Sequence, residues 1–170
     1  MFVLGVDPGL TRCGFGLVEG ALDGPEDFAA RRAGTIETAH TEAVEIRLRQ
    51  ILEEFSALLE ELRPDVVAVE KVFHTRNAKT VIGVAQASGV VIALAGARGL
   101  PVRQFTAQQV KLAVTGYGAA KKPQVQAMVA RHCHLAQVPE PPDAADALAL
   151  AITYFSIERV ERRYVLERPA

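Results

Sequence analysis

The sequence predicts one α/β domain, and three observations carry that prediction. Short apolar runs bounded by turn signals recur five times, at residues 2–6, 15–18, 33–38, 66–69 and 101–105, which is strand patterning. From residue 44 onward these runs alternate with segments whose apolar residues follow helical spacing. A length of 170 residues, 49% hydrophobic and 23% charged, supplies one ordinary core and is too short for two catalytic domains.

Phe2 to Val6 is an apolar run entering Asp7-Pro8-Gly9, so a strand delivers Asp7 at its carboxyl end into a turn. Phe15–Val18 and Ala33–Thr38 complete a meander. The apolar series Val44, Leu48, Ile51, Phe55, Leu58 and Leu62 then predicts an amphipathic helix, with Thr41 as its N-cap and Pro64 closing it. Val66–Val69 is a β-branched strand ending on Glu70, which repeats the arrangement at Asp7.

Val81 to Ala97 is apolar all round. It is shorter than the roughly 20 residues of a spanning helix and holds Gln86, Ser88 and three glycines, so a central helix packed on several sides is expected, not a membrane span. Pro101–Phe105 is the fifth strand, followed by a helix from a Thr106 cap through Val114. A glycine-containing loop, 116–120, leads past Pro123 into a helix reaching about Leu135. Three prolines in 139–142 force a loop, and Asp143 opens an Ala- and Leu-rich helix with two acids in its first turn. The domain is expected over 1–157, with 158–170 as a charged tail that frays or projects.

The amino terminus has no basic segment before Asp7, and Cys13 and Cys133 have neither metal-ligand spacing nor a disulfide framework. A reducing cytoplasm is the expected location, with two packed thiols.

The net charge of −1 conceals a strong segregation. Residues 1–70 carry fourteen acids and six bases, whereas 71–139 carry nine bases and no acid. Lys71, Arg76, Lys79, Lys111, Lys121 and Lys122 belong to that stretch, which suits a polyanion-binding surface. Nucleic acid is the expected partner.

Four acids stand at predicted element ends: Asp7 and Glu70 on strands, Asp143 and Asp146 three residues apart on one helical face. Clustered carboxylates repel, so such a site is stable chiefly around a divalent cation, and all-oxygen donors select Mg²⁺ or Mn²⁺ over zinc. Two such ions about 4 Å apart are the standard apparatus for in-line phosphodiester hydrolysis without a nucleophilic side chain. His74, His132 and His134 offer no comparable set.

The blocks LGVDPGLTRCGFG, AVEKVF, QQVKLAVTGYGAAKKPQVQ and DAADALALA, in this order, resemble the RuvC family of crossover-junction endonucleases within the RNase H-like superfamily. The resemblance runs from Phe2 to about Ile152. It implies a mixed five-stranded sheet flanked by helices on both faces, a homodimer, and Mg²⁺-dependent paired nicks across Holliday junctions. It further implies partnership with the RuvA and RuvB branch-migration proteins. By position it makes Asp7, Glu70, Asp143 and Asp146 the metal-binding acids, although some family members carry His in place of Asp143. Phe73 matches an aromatic that unstacks bases at the crossover, and Lys111 and Lys122 match lysines near the scissile phosphate and junction backbone. An actin-like ATPase, suggested by the glycines of DPGLTRCGFG, would need a second phosphate loop and a second domain that this length forbids. Another RNase H-like nuclease acting on RNA would share the first block but lack the rest.

Overall fold

The computed structural model describes residues 1–72 and 78–166. The meander forms first: β1 (Phe2–Asp7), β2 (Arg12–Glu19) and β3 (Ala29–Glu37) pair antiparallel in sequence order. Helix α1 (Val44–Leu62) then crosses over, so β4 (Val66–Glu70) enters parallel to β1, with Val6 opposite Val69. After α2 (Ala78–Ala97), β5 (Val102–Phe105) adds parallel to β4 and completes a mixed sheet of order β3-β2-β1-β4-β5.

Helices cover both faces. On one, Leu4, Val6 and Phe15 pack with Ile51 and Phe55 of α1 and Val91 of α2. On the other, Val3, Val18 and Ala68 meet Val110 of α3 (Ala107–Thr115), Val129 of α4 (Lys122–His132) and Leu148 and Ile152 of α5 (Pro142–Leu166). Because β1 and β4 are buried on both sides, their sequences are continuous apolar runs and do not alternate.

The central helix is α5, whose residues 147–153 are almost wholly buried. Two strand glycines let it lie that close to the sheet. A Cβ at Gly5 would stand 1.8 Å from the carbonyl oxygen of Ala147, and one at Gly14 would stand 2.3 Å from that of Asp143. The helix continues through Leu166, and Arg159 within it is only 6% exposed. Its guanidinium donates to the carbonyls of Ala21 and Pro25 at 2.6 and 3.0 Å and lies over the Phe28 ring, which ties down the β2–β3 connection.

Two expectations change. Thr41 does not cap α1; the N-cap is Ala43, without a side-chain bond, because a turn from the Ala39 carbonyl to the Glu42 N–H delays the helix start. Nor is α2 packed on several sides. Ala87, Ser88, Val91 and Ala95 are buried against α1 and the sheet, but Ile82 is 59% exposed and Ala85, Gly89 and Ala93 also face outward. Among the described residues nothing covers that outer face. By contrast, Thr106 caps α3 as predicted: its Oγ accepts the Gln109 N–H while Gln109 Oε1 accepts the Thr106 N–H.

Candidate active site

Parallel pairing of β1 and β4 sets the register that matters: Val6 lies opposite Val69, so the next residues, Asp7 and Glu70, emerge side by side at the carboxyl ends of adjacent central strands. The close seat of α5 at Gly14 brings its first turn over the same edge. One carboxylate oxygen each from Asp7, Asp143 and Asp146 then lies within 4.8 Å of the others. Glu70 is outside that trio but shares a hydrogen bond with Asp7.

Burial pushes the Asp7 carboxyl up to about 8, and the negative charges of Glu70, Asp146 and Asp143 add to the effect. Glu70 is also raised by burial, while the hydrogen bond the two share raises Asp7 and lowers Glu70. Asp146 is raised by burial too, against the opposing pull of Lys122. Lys122 Nζ donates to Asp146 Oδ2 at 2.5 Å. Burial alone would lower that ammonium, but the Asp146 hydrogen bond and the surrounding acids hold it above the ordinary lysine range. Arg12 approaches Asp143 at 3.9 Å and Glu37 at 3.8 Å, both at long range and with Arg12 itself largely exposed.

Asp7, Glu70 and Asp146 floor a cleft of about 200 Å³ that also includes Lys111 and Lys122, with Val110, Val125 and Leu150 as its apolar wall. A second recess of about 480 Å³ adjoins it across Asp7 and Glu70 and is bounded by Pro8, Lys71, Val81 and Gln108. A set of half-buried carboxylates that repel one another and offer only oxygen donors fits a hard divalent cation.

The basic stretch does not form one surface. Lys111 and Lys122 reach the cleft, Lys71 lines the adjoining recess, and Lys121 is exposed just before α4. Arg98 is turned away to Glu60 and Ser56 of α1, and Arg103 pairs with Glu158 and Glu161 of α5. Those two bases fasten helices to the body. Lys79 stands in the first turn of α2, while Phe73, His74 and Arg76 lie outside the described residues. His132 bonds the Val114 carbonyl and His134 approaches Asp27, so neither belongs to the acidic site. Both cysteines are free and buried.

Of two features absent from the linear reading, one had no local signal and the other did. The Lys122–Asp146 pair joins residues 24 apart in different helices, which no local spacing announces. The glycine contacts had a visible signal: Gly5 lies opposite Gly16 and Gly14 opposite Asp7, a run of small residues on one strand pair that invites close approach of another element.

Sheet order, helix placement and the strand-end position of the acids define an RNase H-like domain with a carboxylate site. A family profile described as crossover junction endodeoxyribonuclease RuvC matches residues 3–154. The chain belongs to the RuvC family. It is 53% identical to the crossover junction endodeoxyribonuclease RuvC of Frankia alni over 154 residues, covering 91% of this chain and 77% of that one. It is 49% identical to the RuvC of Syntrophomonas wolfei over 160 residues, covering 94% and 91%. Among solved structures, Thermus thermophilus RuvC in complex with a Holliday junction substrate superposes with a TM-score of 0.89 at 34% identity, over 95% of this chain and 96% of that one. The yeast mitochondrial Holliday junction resolvase Ydc2, at 11% identity and a TM-score of 0.68 over 96% and 83%, shares the fold. No helix among the described residues is long and apolar enough to cross a membrane.

Proposed function

We propose that this protein resolves four-way DNA junctions in recombination and repair by hydrolysing one phosphodiester in each of two opposing strands. The observation that carries the reading is the convergence of Asp7, Asp143 and Asp146 within 4.8 Å, beside a cleft lined by Asp7, Glu70, Asp146, Lys111 and Lys122. Asp7, Glu70, Asp143 and Asp146 would hold Mg²⁺, with Mn²⁺ as a substitute and two ions per site. Bound there, such ions supply Lewis acidity toward the phosphate and a water activated for in-line attack.

The chain's own residues set up the rest. Strand ends and the amino-terminal two turns of α5 fix four carboxylates on rigid elements, so little reorganisation accompanies the reaction. Lys122, poised on Asp146, places a cation where a scissile phosphate would sit, and Lys111 adds a second on the same cleft. No covalent nucleophile is needed from the protein. The thiols of Cys13 and Cys133 are pushed up to about 12 and about 11 by burial, which leaves them protonated and inert. Phe73, Arg76, Lys79 and Lys121 extend the DNA contact in this reading, with Phe73 unstacking bases at the crossover.

A four-way junction has approximate two-fold symmetry, so a homodimer of single-site subunits addresses opposing strands together. The uncovered outer face of α2 supports that assembly. Residues 1–157 form the nuclease domain and 158–170 its charged extension. The protein works in the cytoplasm with RuvA and RuvB as branch-migration partners.

The test is a synthetic four-way junction incubated with Mg²⁺ and, in parallel, with chelator. Symmetric nicks only with the metal are expected, and Asp7→Asn should abolish them while junction binding persists. Cleavage of RNA–DNA hybrids with junctions left intact would overturn the reading in favour of an RNA-directed nuclease.

A further inference from the structure

The turn joining α3 to α4 exposes an aromatic side chain in basic surroundings. Tyr117 is 62% exposed, yet its backbone is fixed at both ends. The Thr115 hydroxyl donates to the Lys111 carbonyl at 2.8 Å and accepts the Tyr117 N–H at 3.1 Å, while the Tyr117 carbonyl accepts the Ala120 N–H at 3.0 Å. Gly116, with φ of 72°, makes the reversal that starts the turn. A ring held out by an ordered turn keeps its apolar faces in water at a free-energy cost, which a flat ligand would offset.

The turn also sits at the cleft. A Cβ on Gly118 would lie 3.5 Å from Cγ of Gln108, and Gln108 bounds the recess shared with Asp7 and Glu70. Lys111 precedes Tyr117 on α3 and lines the acidic cleft; Lys121 and Lys122 follow it at the start of α4. Among the described residues neither Lys111 nor Lys121 has a carboxylate partner, so both cations beside the ring are available to phosphates. A π-face among unpaired lysines on the rim of a phosphodiester-cutting site has the chemistry of a single-strand nucleic-acid contact, in which the ring stacks and the ammonium groups follow the backbone.

We propose that Tyr117 stacks on a nucleobase of the DNA strand leaving the cleft, making the α3–α4 turn a second aromatic contact of the enzyme. The inference rests on the junction-nuclease reading. It concerns affinity and strand placement; Tyr117 takes no part in the chemical step.

The chain contains no tryptophan, which gives a direct probe. Tyr117→Trp introduces a single indole at the turn, to be titrated with a four-way junction without divalent metal while anisotropy of a labelled junction reports binding independently. Strong quenching that tracks the anisotropy is expected. In parallel, Tyr117→Ala should weaken junction affinity about 5- to 100-fold and Tyr117→Phe should restore it, as expected for lost stacking. The salt dependence separates stacking from charge. Tyr117→Ala should leave the slope of log Kd against log salt unchanged, whereas Lys121→Ala should reduce it by about one. Binding without quenching, or an affinity untouched by Tyr117→Ala, overturns the stacking contact and leaves the ring to a protein partner. A Tyr117→Ala change in slope overturns it as well, because the residue then acts by positioning lysines. Absence of junction binding by the parent protein removes the nuclease reading and this proposal together.

Discussion

The ammonium of Lys122 and the carboxylate of Asp146 meet at 2.5 Å across 24 residues of chain, so the start of α4 and the amino-terminal part of α5 are joined at the floor of the cleft. Lys122 is 55% exposed and Asp146 25%, and pairs of that exposure contribute little to stability, about 0–1 kcal/mol. Under the proposed function the pair matters for chemistry, since it would hold a cation where charge develops on a phosphate. Lys122→Met should lower single-turnover junction cleavage by about 10²- to 10³-fold. Junction affinity should fall by less than about tenfold, the loss of one phosphate contact. Equal losses in binding and in cleavage would reduce Lys122 to a DNA anchor.

Asp7 predicts a pH dependence in the metal-free protein. Its carboxyl is raised by burial from 3.8 to about 8, so the fold favours the protonated form more than the unfolded chain does. The resulting stabilisation is complete below about pH 4 and is lost as pH rises through about 8. Asp7→Asn keeps a donor toward Glu70 and removes the charge. In chelator at pH 8 the variant should therefore be more stable than the parent by at least ~1 kcal/mol, a tenfold change in proton affinity being worth about 1.4 kcal/mol. At pH 4 the two should converge. Urea denaturation at both pH values measures this, and a parent that outlasts the variant at pH 8 would show that the acids do not repel one another in chelator.

Much of this was legible in the chain because the relevant signals are local. Both strand-end acids were, since Asp7 and Glu70 each end a β-branched or apolar run, and so were the Thr106 cap and the acid pair 143/146 on one helical turn. What stayed hidden depends on distant pairing. The outer face of α2 reads as apolar as its inner face, because Ile82 and Val91 differ in surroundings and not in character. Arg98 and Arg103 look like DNA ligands in a charge count, but Glu60 and Glu161 reach them only after the helices pack. The Thr41 cap failed for a subtler reason, a turn at 39–42 that competes with the first helical turn.

The glycine contacts yield a third prediction. Gly14→Ala would place a methyl 2.3 Å from the Asp143 carbonyl oxygen, and that atom is backbone, so α5 has to shift as a body. Overpacking of this kind costs about 1–3 kcal/mol. The shift also carries Asp143 and Asp146 away from Asp7, so Mg²⁺-dependent thermal stabilisation should shrink along with stability. Gly96→Ala in α2 is the control: nothing lies within 4 Å of its Cβ, and helix propensity predicts a gain of up to about 1 kcal/mol with metal response intact. An unchanged metal response in Gly14→Ala would show that the seat of α5 does not set the site.

The outer face of α2 supplies the last. Ile82, Ala85, Gly89 and Ala93 recur at helical spacing and face outward, and a Cβ on Gly89 would meet nothing within 4 Å. The protomer therefore has room for a large side chain there, whereas a helix–helix contact built on small residues would not. Light scattering at micromolar concentration should report a dimer for the parent and a monomer for Gly89→Leu, with circular dichroism showing the fold retained. Because a junction needs two sites held in register, the monomer should nick one strand and lose the symmetric second cut. A Gly89→Leu protein that stays dimeric would move the interface off α2.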